Sequence, residues 1–365
     1  MCGIAGFVGR SLMTPDQDKI SQAKASLFLR GPDGSGTYQK KIGNKTILFI
    51  HTRLSIVDLN KNANQPFNDN EGSLIFNGMI YNYIELRNKL KRKGIKFETK
   101  SDTEVLLKML NLYKEKALKY LDGMWVFAYH NFKTNTVIIS RDRFGEKPLY
   151  FYNSKNNFYF SNSIKALVKL IKKKLEINET ALLLHLNYPD KSVGELNQTI
   201  FKNIYKFPES SFFKFNLENK KITKKKFWNL KISNKKISFP KSCKRLKEMI
   251  KYTIKTRTRS DVKNCMLISG GLDSNAIASY AKENGMIEGY TLKSPIKSYD
   301  ESKFVKISAK KNKFFLKFVN PLSNKALKIT ESLILNSYNV LPSTTSLCFA
   351  LICEKIKLNK NKVIL

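Results

Sequence analysis

The chain opens Met1-Cys2-Gly3-Ile4-Ala5-Gly6, and the chemistry open to its second residue sets the expectations for the rest. A cysteine here has a property no internal cysteine has: once Met1 is removed, its own α-amino group lies within reach of its thiol. An α-amine has an ordinary pKa of about 8, so near neutrality part of it is free base and can take the thiol proton. One residue can then supply both nucleophile and general base. No basic or apolar leader stretch precedes Cys2, so neither an export signal nor a lipoprotein signal is expected.

Further segments follow in order: Arg30-Gly31-Pro32-Asp33, Arg53-Leu54-Ser55-Ile56-Val57-Asp58, Gln65-Pro66, Asn77-Gly78-Met79-Ile80-Tyr81-Asn82, Ser101-Asp102-Thr103-Glu104 and Asp122-Gly123-Met124. The last of the set is Arg141-Asp142-Arg143-Phe144-Gly145-Glu146-Lys147-Pro148-Leu149-Tyr150. In order and approximate spacing they resemble the class II glutamine amidotransferases, and the last segment points to the asparagine synthetase branch. The resemblance covers nearly the whole chain. It implies an N-terminal-nucleophile fold, sheets sandwiched between helices (αββα), with Cys2 attacking glutamine. It also implies Arg53 on the α-carboxylate, Asp102 on the α-ammonium, an oxyanion hole from the Asn77 amide and the Gly78 N–H, and backbone of Leu54, Ser55, Ile56 and Val57 lining the pocket. Residue chemistry suits these roles: a guanidinium grips a carboxylate with paired charge-assisted hydrogen bonds, and a developing oxyanion needs fixed donors. Two positions depart from the family. Met79 stands where most members have Glu, at an expected loss of ~1.5–3 kcal/mol in glutamine binding. Ser163 replaces the Glu usual before Ile164-Lys165-Ala166-Leu167.

The second motif is Ser269-Gly270-Gly271-Leu272-Asp273-Ser274, after a strand-like Cys265-Met266-Leu267-Ile268 and ahead of a helix ending near Asn284-Gly285. A glycine-rich turn opening a helix presents N–H groups to an anion. The spacing is not that of a Walker loop, and Gly31-Pro32-Asp33-Gly34-Ser35-Gly36 does not fit a dinucleotide fingerprint. The hexapeptide resembles the pyrophosphate loop of enzymes that cleave ATP between its α and β phosphates. That resemblance implies ATP as substrate, Asp273 on a magnesium ion, and Ile268 and Leu292 against the adenosine. It implies an aspartyl-adenylate that ammonia then converts to asparagine, so glutamine, aspartate and ATP are the expected partners. For Ile268 and Leu292, ordinary core packing is an equal expectation.

Alternating strand-like and helical stretches run to about residue 205, with helical periodicity over Tyr83–Lys93 and Thr103–Tyr113, the latter with Asp102 as N-cap. Lys and Ser dominate residues 206–240, which are expected to link the first domain (1–205) to a partial synthetase domain (241–365) of parallel α/β type. Family members run longer, so a C-terminally truncated chain is expected, its synthetase half defective.

At 42% hydrophobic and 26% charged residues, the chain can bury more than one core. Five irregularly spaced cysteines fit a reducing compartment, no apolar run is long enough to span a membrane, and a cytoplasmic location is expected. The net charge of +37 comes mostly from scattered lysines, clusters such as Lys172–Lys174, Lys224–Lys226 and Lys310–Lys313 lacking interleaved aromatics. A solvated surface is therefore expected rather than a nucleic-acid site. The three histidines, His51, His130 and His185, are isolated and suggest no metal cluster. The resemblance leaves room for a homodimer. Two alternatives stay open: amidation of a different carboxylate acceptor, and a non-enzymatic basic binding protein on a degenerate enzyme fold.

Overall fold

The computed structural model describes residues 1–171, 175–188, 197–219, 221–233, 236–321, 326–339 and 344–365. The Lys172–Lys174 cluster lies outside them. The chain divides into a first unit, Met1–Leu230 with Ile334–Val340, and a second, Lys231–Leu333 with Leu341–Leu365.

The strands of the first unit are β1 (Gly3–Arg10), β2 (Gly34–Ile42), β3 (Lys45–Arg53), β4 (Phe67–Asn68), β5 (Gly72–Ile80), β6 (Gly123–Asn131), β7 (Thr136–Arg141), β8 (Tyr150–Ser154), β9 (Asn157–Ser161), β10 (Ile204–Lys206), β11 (Ser211–Asn216) and β12 (Ile222–Lys226). They form two six-stranded sheets, ordered β10-β8-β9-β1-β3-β2 and β12-β11-β7-β6-β5-β4. Period-two alternation decides which way each side chain points. In β1, Ile4 and Val8 enter a core shared with Ile75, Val126 and Ile139 of the other sheet. Ala5 and Phe7 face the opposite way, onto helices α1 (Gln17–Leu27) and α4 (Ile164–Leu170). In β6, Trp125, Phe127 and Tyr129 pack on α2 (Tyr83–Lys91) and α3 (Asp102–Tyr113), while Val126 and Ala128 enter the shared core. Two sheets face to face, each covered by helices, give the αββα sandwich.

The stretch expected to be a linker from residue 206 instead carries β11 and β12, which close the edge of the second sheet. Phe212, Phe213 and Phe215 are buried there, whereas Lys224–Lys226 sit on an exposed edge strand, which explains why composition alone reads as a loop.

In the second unit β13 (Asn264–Leu267), β14 (Glu288–Leu292), β15 (Phe315–Val319) and β16 (Val363–Ile364) make a parallel sheet ordered β15-β14-β13-β16. Helix Leu272–Ala281 connects β13 to β14, and Ser302–Asn312 connects β14 to β15. Among the described residues no helix is long and apolar enough to cross a membrane.

Candidate active site

β1 delivers Cys2. The strand is paired on both sides, with β3 and with β9, so the residue ahead of it is held at the end of an interior strand. Asn162 clamps the same place: its Nδ2 donates to the Cys2 carbonyl at 2.9 Å, and its Oδ1 accepts the Ile4 N–H at 3.0 Å. The Leu54 N–H donates to Cys2 Sγ at 3.4 Å, and the thiol reaches the Leu54 carbonyl at 3.7 Å. Burial pushes the thiol up from its ordinary value, while the Leu54 N–H favours the thiolate and pulls it back. The Met1 amine is lowered to about 6, chiefly by burial, with Arg30 and Lys147 adding to the effect against the pull of Cys2.

At the end of β3, Arg53 turns into the loop that follows. Its Nη1 donates to Asn60 O at 2.7 Å and to Asn64 Oδ1 at 2.8 Å, and its Nη2 donates to Asp58 O. The guanidinium is thus braced before any substrate arrives. Leu54, Ser55 and Ile56 are half-buried and Val57 is buried; the Ser55 N–H donates to Asp33 Oδ2 at 2.8 Å, tying this loop to the Arg30–Asp33 turn.

Asp102 is the first residue of α3, not its N-cap. Ser101 fills that place, its hydroxyl accepting the Thr103 N–H at 3.1 Å, because the Asp102 carboxylate turns instead to accept the Ile80 N–H of β5 at 3.0 Å. Burial raises Asp102 to about 6, and the Ile80 N–H opposes the rise. Arg53 and Asp102 both bear electrostatically on the Cys2 thiol, so the fold brings three of the expected site residues together.

Asn77 and Gly78 lie in β5 opposite Val126 and Trp125. Asn77 is 1% exposed, and its Nδ2 has no hydrogen-bond partner among the described residues. A Cβ at Gly78 would run into the Met124 carbonyl oxygen, so the approach of β6 dictates glycine there. Met79 is buried in a small apolar cluster with Val57 and Tyr81, flanked by Ile56, Tyr83 and Met124. The position where the family usually carries a carboxylate is here an apolar one.

In the second unit, Ser269–Ser274 joins β13 to helix Leu272–Ala281, where a phosphate loop was expected. Its polar groups are engaged internally: the Ser269 N–H donates to Ser274 Oγ at 3.2 Å, and the Gly271 N–H to Ser269 Oγ at 3.2 Å. The Gly270 N–H donates to the Glu301 carboxylate at 2.8 Å. Leu272 and Asp273 are exposed. Ile268 is buried in a cluster with Met266 and Val305, and the half-buried Leu292 packs against the cluster of Cys265 and Tyr290, so both serve the core.

A glutamine amidotransferase domain family matches residues 1–228, and an asparagine synthase family matches residues 245–363. The chain belongs to the asparagine synthetase-type glutamine amidotransferases. Among its relatives is a putative glutamine-hydrolysing asparagine synthetase of Methanocaldococcus jannaschii, 32% identical over 84% of this chain and 62% of that protein. Asparagine synthetases 1 and 3 of Bacillus subtilis are 34% and 30% identical, over 78% and 82% of this chain and 44% and 48% of theirs. The chain therefore spans between about two-fifths and three-fifths of the length of these curated relatives.

The amidotransferase unit holds residues whose part in the site the sequence did not disclose. The Asp142 carboxylate, fully buried, accepts the N–H groups of Trp125, Phe144, Glu146 and Lys147 at 2.9–3.2 Å. Arg141 donates to the carbonyls of Gly145, Lys147 and Phe207, each at 2.7 Å. The Arg141–Tyr150 motif is a knot of backbone hydrogen bonds, and it places Lys147 beside Met1. Asn162, next to the Ser163 departure, was likewise legible only as a residue near a motif. Its signal is the paired backbone contact to Cys2 and Ile4, which no spacing reveals.

Proposed function

We propose that the first unit hydrolyses glutamine at Cys2 and that the released ammonia amidates aspartate activated by ATP in the second unit. The observation that carries the first half is the Cys2 thiol held against the Leu54 N–H, with Arg53 and Asp102 bearing on it, and the Asn77 amide nitrogen of the same unit is left without a partner among the described residues. After Met1 is removed, the Cys2 α-amine takes the thiol proton and the thiolate attacks the glutamine side-chain carbonyl. Asn77 Nδ2 and the Gly78 N–H receive the oxyanion. The amine returns the proton to the departing nitrogen as ammonia, and water cleaves the thioester to glutamate, freeing the thiol. Arg53 holds the substrate carboxylate and Asp102 its ammonium.

For the second half, aspartate would attack the α-phosphorus of ATP to give aspartyl-adenylate and pyrophosphate, and ammonia would displace AMP to give asparagine. Asp273 is exposed at the start of the helix, so its carboxylate could take a magnesium ion carried on the substrate phosphates. Such an ion would neutralise phosphate charge. Glutamine should yield glutamate and ammonia, and AMP, pyrophosphate and asparagine appearing when aspartate, ATP and magnesium are added would read the second unit. With ammonium chloride replacing glutamine, the second unit is read by itself. Glutamine left unconsumed by protein with a verified Cys2 terminus would overturn the first half, and ammonium-independent failure to form AMP would overturn the second.

The role of Asp102 gives a pH-dependent expectation. A group titrating near 6 passes from about nine-tenths ionised at pH 7 to about one-tenth at pH 5. Glutamine binding to a Cys2→Ala variant, followed by calorimetry, should therefore weaken about tenfold over that range. In the further variant Asp102→Asn, binding should be weak throughout and flat with pH. A tenfold loss that survives this substitution would assign the titration elsewhere.

A further inference from the structure

Lys147 is 7% exposed, yet among the described residues no carboxylate pairs with its ammonium. Two acids of its own segment favour the ammonium from a distance, Glu146 more than Asp142, and Asp142 is spent on four backbone N–H groups. The recorded partner of Lys147 Nζ is the Met1 sulfur at 3.1 Å, a weak acceptor. A second cation faces the same atom: Arg30 Nη2 lies 4.0 Å from it, and Arg30 Nε is buried without a partner. A buried cation with no ion pair among the described residues, set beside another of like sign, opposes folding and so calls for a use. Both cations converge on the terminal residue whose removal uncovers the Cys2 amine.

We infer that Lys147, backed by Arg30, is a positioning residue whose ammonium disfavours a second positive charge at the chain terminus and so keeps the Cys2 α-amine available as the base. This rests on the proposed glutamine hydrolysis at Cys2. The groups that act on the Met1 amine are the Cys2 thiol and Asp33, which favour its protonation, and Arg30 and Lys147, which oppose it. Arg53 and Asp102 bear on the thiol with opposite signs. Burial is the largest cause that leaves the Met1 amine well below its ordinary value, and the two cations add to it against the Cys2 thiol. No atom of Lys147 enters the reaction: the proton still travels from thiol to amine to leaving nitrogen.

The test compares wild type, Lys147→Met, Lys147→Gln and Lys147→Arg, each with a Cys2 terminus verified by mass. In Lys147→Met and Lys147→Gln the acid limb of kcat/KM for glutamine should move up by about one pH unit, a loss of about threefold near pH 6.5 that approaches tenfold at about pH 5. Lys147→Arg should keep the wild-type limb. The pH dependence of iodoacetamide alkylation at Cys2, read by peptide mapping, should shift in the same way and needs no glutaminase activity. Removing the unpaired ammonium should also raise Tm in Lys147→Met. A lowered Tm with an unmoved pH profile would show that Lys147 merely packs, and equal loss in Lys147→Arg and Lys147→Met would show that Lys147 itself gives up a proton. Either result overturns the inference while leaving glutamine hydrolysis at Cys2 intact. A wild type that alkylates at Cys2 with the expected profile but hydrolyses no glutamine would overturn the functional reading instead.

Discussion

Replacing Cys2 by Ala should reduce glutamine hydrolysis by roughly ten-thousandfold or more, because the reaction loses its only covalent route and retains binding alone. Glutamine should still bind, since Arg53 is braced by Asn60, Asn64 and Asp58 and does not need the thiol for its geometry. The control is built into the chain. Cys243 is the exposed cysteine and should be the first modified by an unselective alkylating agent. Cys265 is buried, with its thiol pushed up to about 12 by burial, and should be inert. An electrophile shaped like glutamine should instead label Cys2, where the pocket concentrates it. A mass-mapped adduct on Cys243, Cys348 or Cys353 at the rate of inactivation would remove Cys2 from the mechanism.

The second large effect is expected at Asn77. Its Nδ2 is fully buried and unpaired, a costly condition for an amide unless something is to be received there. Asn77→Ala should lower kcat by about 10²–10³-fold, the usual consequence of losing one oxyanion donor, and should leave KM for glutamine nearly unchanged. Its stability should fall little, because the side chain removed has an amide group that satisfies no partner. A parallel rise in KM with kcat preserved would make Asn77 a substrate-binding residue. A large fall in Tm with both constants unchanged would make it a structural one.

How much of this was legible in the sequence depended on whether a residue's neighbours lie near it in the chain. Tyr83–Lys93 shows helical periodicity because only the face of Leu86 and Leu90 is buried, whereas Thr103–Tyr113 is buried on nearly every side, and the two form α2 and α3 within a residue or two of expectation. β1 shows no alternation, since Gly3–Gly9 is buried on both faces between the helices and the shared core. A strand of that kind reads as an undifferentiated apolar run. Ser101-Asp102-Thr103-Glu104 has the spacing of a capping box, but the Glu104 carboxylate accepts the N–H groups of Glu98 and Thr99 instead, at 2.9 and 2.7 Å. The cap was misplaced by one residue because the Asp102 carboxylate is drawn to the Ile80 N–H, a contact made 22 residues away in sequence. Cys2, Arg53, Asn77 and Asp102 could be named because short motifs surround them. Lys147 and Asn162 could not, since their work is done on a terminus about 150 residues away.

That distance also bears on the order in which the protein is made. The first strand is flanked on one side by residues 45–53 and on the other by residues 158–161, and the Cys2 carbonyl waits for Asn162. Contacts of such long sequence separation form late, after the shorter loops have closed. A ribosome that has translated only the first hundred codons has produced the nucleophile and none of its clamp. The opening residues remain pliable, open to peptidase processing and without organised reactivity, until the ninth strand has been made and takes its place beside the first.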